Sequence, residues 1–211
     1  MDGLLIDSET LSLQTFNDTI SAYGLPDHSQ LFNKVIGKNE ASLVATLSSA
    51  LSNSVNVSEF REDWADRYHA IVLNDPVPLK TGAIDLLDWL NARNIKTAVA
   101  TSSKTSLAKV KLTNAGLLKY FQYVIGGDQV RQGKPDPEIY LKAASAVSAN
   151  RLETWVMEDS EFGVRAGLAA KFNVIQVPDL LEPTPELLSL GHRVCTDLGE
   201  VLELFKSNTE K

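Results

Sequence analysis

The chain has 211 residues, 44% apolar and 22% charged, which is enough to bury a real core as one domain with a large insertion or as two small domains. A formal net charge of −7, with no cluster of Lys and Arg, argues against nucleic acid, whose phosphates a binder must neutralise. The single cysteine, Cys195, excludes an intrachain disulfide and, next to Val194, reads as a buried, inert thiol in a reducing compartment. No run of about 18 apolar residues and no basic-then-apolar leader is present, so neither a membrane span nor a signal peptide is supported and a cytoplasmic location is expected.

The chain opens on Met1-Asp2-Gly3-Leu4-Leu5-Ile6-Asp7-Ser8-Glu9, a carboxylate on a glycine turn beside an apolar run, with further acids behind it. From Glu9 to Tyr23 the residues Leu13, Phe16, Ile20 and Tyr23 recur at three- and four-residue steps, which predicts an amphipathic helix stopped by Gly24-Leu25-Pro26. Asn39 is expected to cap a helix carrying Leu43, Val44, Leu47 and Leu51, and Ser58 another carrying Phe60, Trp64, Tyr68 and Ile71. Residues 10–75 thus read as a small helical unit. Asn74-Asp75-Pro76-Val77-Pro78 then holds the backbone extended and ends the helices.

From Thr81 the texture becomes alternating helix and strand. Strands are expected at Ile95–Ala100, Tyr123–Ile125, Trp155–Met157, Asn173–Val177 and, more weakly, Arg193–Cys195, with a helix carrying Ile84, Leu87 and Leu90, another from Lys104, and others around 138–148 and 161–171. Such alternation predicts a doubly wound α/β domain, a Rossmann-like parallel sheet covered on both faces. Residues 178–185 read as a loop.

In such sheets ligands bind beyond the carboxyl ends of the strands, so the residues directly after each apolar run matter most. After Ala100 come Thr101, Ser102, Ser103 and Lys104, three hydroxyls and an ammonium that suit either a phosphate cradle or a helix cap. After Tyr123–Ile125, Gly133-Lys134-Pro135-Asp136-Pro137 holds a lysine at a helix start, where the helix dipole gives it nothing and an anion would. After Met157 come Glu158-Asp159-Ser160, adjacent acids that repel unless a cation sits between them; an all-oxygen ligand set of this kind suits Mg²⁺. Capping of the next helix is the plainer role for Asp159 or Ser160.

Taken in order, these stretches resemble the haloacid dehalogenase-like hydrolases. Asp2-Gly3 matches the end of the family's Asp-x-Asp-Gly loop, Thr101 its second signature position, Lys134 its third and Glu158-Asp159 its fourth. Gly133-Lys134-Pro135-x-Pro137-Glu138 and Glu158-Asp159-Ser160-x-x-Gly163 look like the subfamily of β-phosphoglucomutase and small sugar-phosphate phosphatases. The resemblance implies a core of residues 1–9 and 76–211 with an inserted helical cap at 10–75. It also implies phosphoryl transfer through an aspartyl-phosphate, with Mg²⁺ held by the backbone carbonyl of Asp2, by Asp159 and in part by Glu158. Asp2 would be the general acid and base, Thr101 with Ser102, Ser103 and Lys104 the phosphoryl cradle, and Lys134 the charge partner. Gly37 and Lys38 match the cap loop that reaches substrate. The expected partner is a small phosphorylated metabolite, met by a monomer or weak homo-oligomer.

Three departures stand out. The family's attacking Asp falls just before Met1, so the sequence is expected to be a truncated product, catalytically crippled, with an open slot between two strands. The histidine that mutase-type members carry in the first cap helix has no counterpart at Ser12 or its neighbours, which leans toward a phosphatase over a hexose-phosphate mutase; a non-catalytic phosphate-binding relative is the remaining reading. Lys171-Phe172-Asn173 stands where the family has a glycine, a change expected to alter a turn.

Overall fold

The computed structural model describes residues 1–26, 28–36 and 40–209. The first residues form a tight turn. Leu4, Leu5 and Ile6 N–H all point at Met1 O (3.4, 2.9 and 3.3 Å), and Gly3, at φ +69°, supplies the left-handed step such a turn needs. The returning linker pins this turn from outside, with Asp7 N–H on Pro78 O at 2.8 Å and Lys80 N–H on Leu5 O at 3.0 Å. Lys80 therefore emerges beside Asp2-Gly3.

Four helices follow: α1 (Ser8–Ala22), α2 (Ser29–Val35), α3 (Glu40–Leu51) and α4 (Val57–Val72). Their apolar stripes meet in a cluster of their own around Phe16, Phe32, Leu47, Leu51 and Phe60. Phe16 is its centre, with ring centroids of Trp64, Phe32 and Phe60 at 5.1, 5.6 and 5.7 Å in tilted or edge-on packing. The expected cap at Ser58 is off by two residues. Asn56 caps α4, accepting from the N–H of Ser58 and Glu59, because its extended backbone turns the side-chain oxygen onto the two open donors. Asn39 lies outside the described residues.

The remainder alternates as α5 (Ala83–Ala92), β1 (Ala98–Ala100), α6 (Thr105–Asn114), β2 (Tyr123–Ile125), α7 (Glu138–Ala146), β3 (Trp155–Glu158), α8 (Glu161–Ala169), β4 (Asn173–Gln176), α9 (Pro185–Leu188), β5 (Arg193–Val194) and α10 (Leu198–Thr209). All strand pairings are parallel: β1 with β2 in register Val99 to Val124, β3 with β4 in register Val156 to Val174, and β4 with β5. Side chains alternate between two cores. Val124 and Ile175 pack with α5, α6 and α10, whereas the next or preceding residues, Ile125 and Val174, pack with α7 and α8, so helices cover both faces of an α/β sheet.

The strands form two groups, β1-β2 and β3-β4-β5, with no pairing between β1 and β3. A cavity of about 550 Å³ lies between them, lined by Leu4, Leu5, Val99, Ala100, Val156 and Met157 among others. The first predicted strand is shorter than expected, since Ile95 is 43% exposed and only Ala98–Ala100 pairs. Lys171 adopts φ +59°, the conformation a glycine would take without steric cost.

Candidate functional site

The loops at the carboxyl ends of the strands converge on the Asp2 turn. Asp2 is held by four donors: Ser8 Oγ and Lys111 Nζ on Oδ1 at 2.8 and 2.7 Å, Ser103 Oγ on Oδ2 at 2.9 Å, and a longer contact from Thr101 Oγ1 at 3.4 Å. Burial alone would raise the Asp2 pKa, but the Lys111 ammonium outweighs it and the carboxyl titrates at about 2. Lys111 is itself 2% exposed and lies 4.9 Å from the centre of the Tyr68 ring, on α4. A lysine this deep is rare without such a partner.

Thr101 is buried, its N–H bonded to Ile125 O and its Oγ1 accepting from Ser103 N–H at 3.2 Å. The hydroxyls do not cap α6; Asp128 does, accepting from Thr105 N–H at 2.7 Å and Thr105 Oγ1 at 2.8 Å. Thr101 and Ser103 are thus free of capping duty and turned to Asp2. Ser102 and Lys104 are exposed at the same helix start.

A second group forms around Glu158, at the end of β3. It accepts from Lys134 Nζ and Tyr140 OH on Oε1 and from Ser160 Oγ on Oε2 at 3.0 Å. Burial would raise its pKa; the Lys134 ammonium reverses that and holds it low, while Tyr140, buried against Glu158, is pushed well up. Gly163 is needed here, because a Cβ would lie 2.0 Å from Glu158 Oε2. Ser160 also caps α8, accepting from Gly163 N–H at 3.2 Å, so the plainer expectation for that residue holds.

Asp159, next in sequence, has no such donors. Its pKa is raised by burial and then by the Glu158 charge. Its Oδ2 leans on Gly3, 2.6 Å from where a Cβ would stand, and Asp179 Oδ2 approaches the same point at 2.9 Å. Asp179 Oδ1 is paired with Lys80 Nζ at 2.6 Å, but its Oδ2 and the Oδ1 of Asp7 are buried without any hydrogen-bond partner. Glu9 is pushed up to about 7 by burial and by the nearby charges of Asp2 and Asp179.

Asp2, Thr101 and Ser103 are therefore joined by direct bonds, as are Lys134 and Glu158, while Asp159 stands against the Gly3 side of the Asp2 turn. Gly37 and Lys38 lie outside the described residues. Sequence reasoning missed Lys111, Tyr140, Ser8, Lys80 and Asp179. Lys111 was detectable as a lysine on the apolar stripe Ala108, Leu112 and Ala115, and Asp179 as the acid just past a strand end. Among the described residues no three His, Cys, Asp or Glu side chains form a ready metal-ligand set.

The family model for haloacid dehalogenase-like hydrolases matches residues 1–177, and the chain belongs to that family. The Phosphorylated carbohydrates phosphatase of Thermotoga maritima is 30% identical over 210 residues, covering 98% of this chain and 95% of that one. The Fructose-1-phosphate phosphatase YqaB of Escherichia coli is 24% identical, covering 84% of this chain and 93% of its own. Among solved structures, a Thermotoga maritima protein assigned as a β-phosphoglucomutase superposes with a TM-score of 0.81 at 29% identity, over 98% of this chain and 96% of that one. The α/β architecture is that of this family.

Proposed function

We propose that this chain is a Mg²⁺-dependent phosphatase of small phosphorylated metabolites, sugar or polyol phosphates, working through an aspartyl-phosphate in the cytoplasm. The observation that carries the reading is the junction of Asp2 with Thr101 and Ser103 beside Lys134, Glu158 and Asp159, with Thr101 and Ser103 just after β1 and Glu158 and Asp159 at the end of β3. The names of the two phosphatase relatives support the substrate class. Residues 10–75 act in this reading as a cap, through which substrate is chosen.

The donor chemistry fits a hard divalent cation. Asp7 Oδ1 and Asp179 Oδ2 are buried carboxylate oxygens without donors, and burial and the Glu158 charge raise the Asp159 pKa against the opposing charges of the N-terminal amine and Lys134, a combination that favours a further cation nearby. Asp159, the backbone carbonyl of Asp2 and, in part, Glu158 would hold Mg²⁺. Bound there, it would neutralise phosphate oxygens and so lower the repulsion met by an attacking carboxylate.

The chain's own residues supply the rest. Thr101 Oγ1, Ser103 Oγ and the N–H groups at the α6 start bind a phosphoryl oxygen, with Lys134 Nζ offering positive charge once it turns from Glu158. In the first step an attacking carboxylate forms a P–O bond, the ester P–O bond breaks, and protonated Asp2 gives its proton to the leaving alkoxide. In the second, water attacks phosphorus, loses a proton to the Asp2 carboxylate, and the acyl-phosphate P–O bond breaks to release inorganic phosphate. With Lys111 holding Asp2 ionised, the unliganded chain rests in the form suited to the second step; the arriving phosphate dianion raises the proton affinity needed for the first. The attacking carboxylate of the family motif has no counterpart among the motif positions matched within residues 1–211.

Phosphate release is to be measured from a panel of sugar and polyol phosphates, with Mg²⁺ or chelator, for residues 1–211 and for the same chain extended by an engineered apolar segment ending in Asp ahead of Met1. Mg²⁺-dependent release by the extended chain, lost in Asp2→Asn, is the expected result. Product isomers without phosphate release would favour a mutase, and metal-dependent phosphate binding without turnover a non-catalytic relative.

A further inference from the structure

Asp179 belongs to none of the motif positions that the family resemblance covers, yet it faces the same point as Asp159. It lies in the loop after β4, its side chain 6% exposed. The two carboxylates meet over Gly3, Asp159 Oδ2 and Asp179 Oδ2 lying 2.6 and 2.9 Å from the position a Cβ would take. Only a glycine leaves that space open.

One oxygen of Asp179 is accounted for by Lys80 Nζ at 2.6 Å; the other is buried and accepts nothing. Burying a carboxylate oxygen without a donor is costly unless something positive arrives. The groups whose charges reach this space are Asp7, Glu9, Asp159 and Asp179 on the negative side and Lys80, Lys111, Lys134 and the N-terminal amine on the positive side. Lys80 bonds Asp179 Oδ1, whereas Lys111 and Lys134 are paired with Asp2 and Glu158, so no ammonium reaches Asp179 Oδ2. A Lys–Asp pair serving structure alone would not require a second, donorless oxygen turned toward another carboxylate.

We infer that Asp179 is an additional carboxylate of the cation site, bonding a hard divalent cation directly or through one of its waters. Lys80 then acts as a positioning residue that fixes Asp179 Oδ1 and leaves Oδ2 for the cation. The inference rests on the reading that Asp159 holds Mg²⁺. Supporting groups of this kind change metal affinity by about 10- to 100-fold when removed.

The test is calorimetric titration of residues 1–211 with MgCl₂ and MnCl₂, without substrate, so that turnover plays no part. The unaltered chain is expected to bind one divalent cation, Asp179→Asn to bind it at least 10-fold more weakly, and Asp66→Asn, an exposed carboxylate on α4, to bind it unchanged. Equal affinity in Asp179→Asn and the unaltered chain overturns the role of Asp179 and leaves the Asp159 reading standing. Absence of any binding in the unaltered chain overturns both. Should Asp179→Asn fail to fold, Lys80→Met decides: with Asp179 no longer fixed, Mn²⁺ binding is expected to weaken at least 10-fold, and unchanged binding overturns the inference.

Discussion

Two sides of the Asp2-Gly3 turn treat a carboxylate in opposite ways. On one side Asp2 has four donors on its two oxygens, including the ammonium of Lys111. On the other, Asp159 and Asp179 share the space over Gly3 with Lys80 as the near cation, and a buried oxygen of Asp179 has no donor. A saturated carboxylate is fixed in place and ionised, suited to moving protons on a schedule set by its partners. An under-donated one is stable only when a cation supplies the missing charge. In the proposed reading, this difference in donor supply is what divides proton transfer from metal binding.

The largest break of this contrast is Lys111→Met. Removing one partner of a buried pair leaves an uncompensated charge, so a loss of about 3–5 kcal/mol is expected in urea unfolding. Acid comes next. The folded pKa of Asp2, about 2, lies below its ordinary 3.8, so its stabilisation is complete above about pH 4 and is lost as pH falls through 2. That loss is on the order of 2 kcal/mol, and an unfolding series from pH 5 to pH 2 reads it, with a flatter profile expected in Lys111→Met.

Asp159 has the opposite sign. Its pKa is raised, so the metal-free fold loses stability as pH rises from its unfolded range toward pH 8. Asp159→Asn is expected to raise the melting temperature at pH 8.5 by about 2–4 °C per kcal/mol relieved, with little gain at pH 5, and to abolish any stabilisation by Mg²⁺. A destabilised Asp159→Asn at pH 8.5 without metal would show that this side is not short of positive charge. The smallest effect is Ser103→Ala, which removes one of the four donors on Asp2 and is expected to cost about 1 kcal/mol by the same unfolding measurement.

Much of this arrangement is legible in the sequence. The strand ends at Ala100 and Ile125 and the helix starts near residues 138 and 161 follow from period and punctuation, and the rule that ligands gather past strand ends points to Thr101, Lys134 and Glu158. What escaped is of two kinds. Lys111 and Tyr140 sit inside helices on buried stripes, where an apolar period masks a polar tip: the Tyr140 ring packs with Ile139 and Ala143 while its hydroxyl reaches Glu158. Asp179 obeys the strand-end rule itself, two residues past Val177, but the prolines around it read as a plain loop. The missed cap at Asn56 has a simpler origin. Asn and Ser are both good caps, and only backbone conformation decides between neighbours two residues apart.

The central claim is that a divalent cation on the under-donated side makes a phosphate site with Thr101 and Lys134. Its most direct measurement is calorimetric titration of inorganic phosphate into residues 1–211 with and without Mg²⁺, repeated in Thr101→Val and Lys134→Met. Binding that requires Mg²⁺ and weakens at least 10-fold in both variants is the expected result. Phosphate binding that is equal with and without Mg²⁺, or untouched by both substitutions, would contradict it.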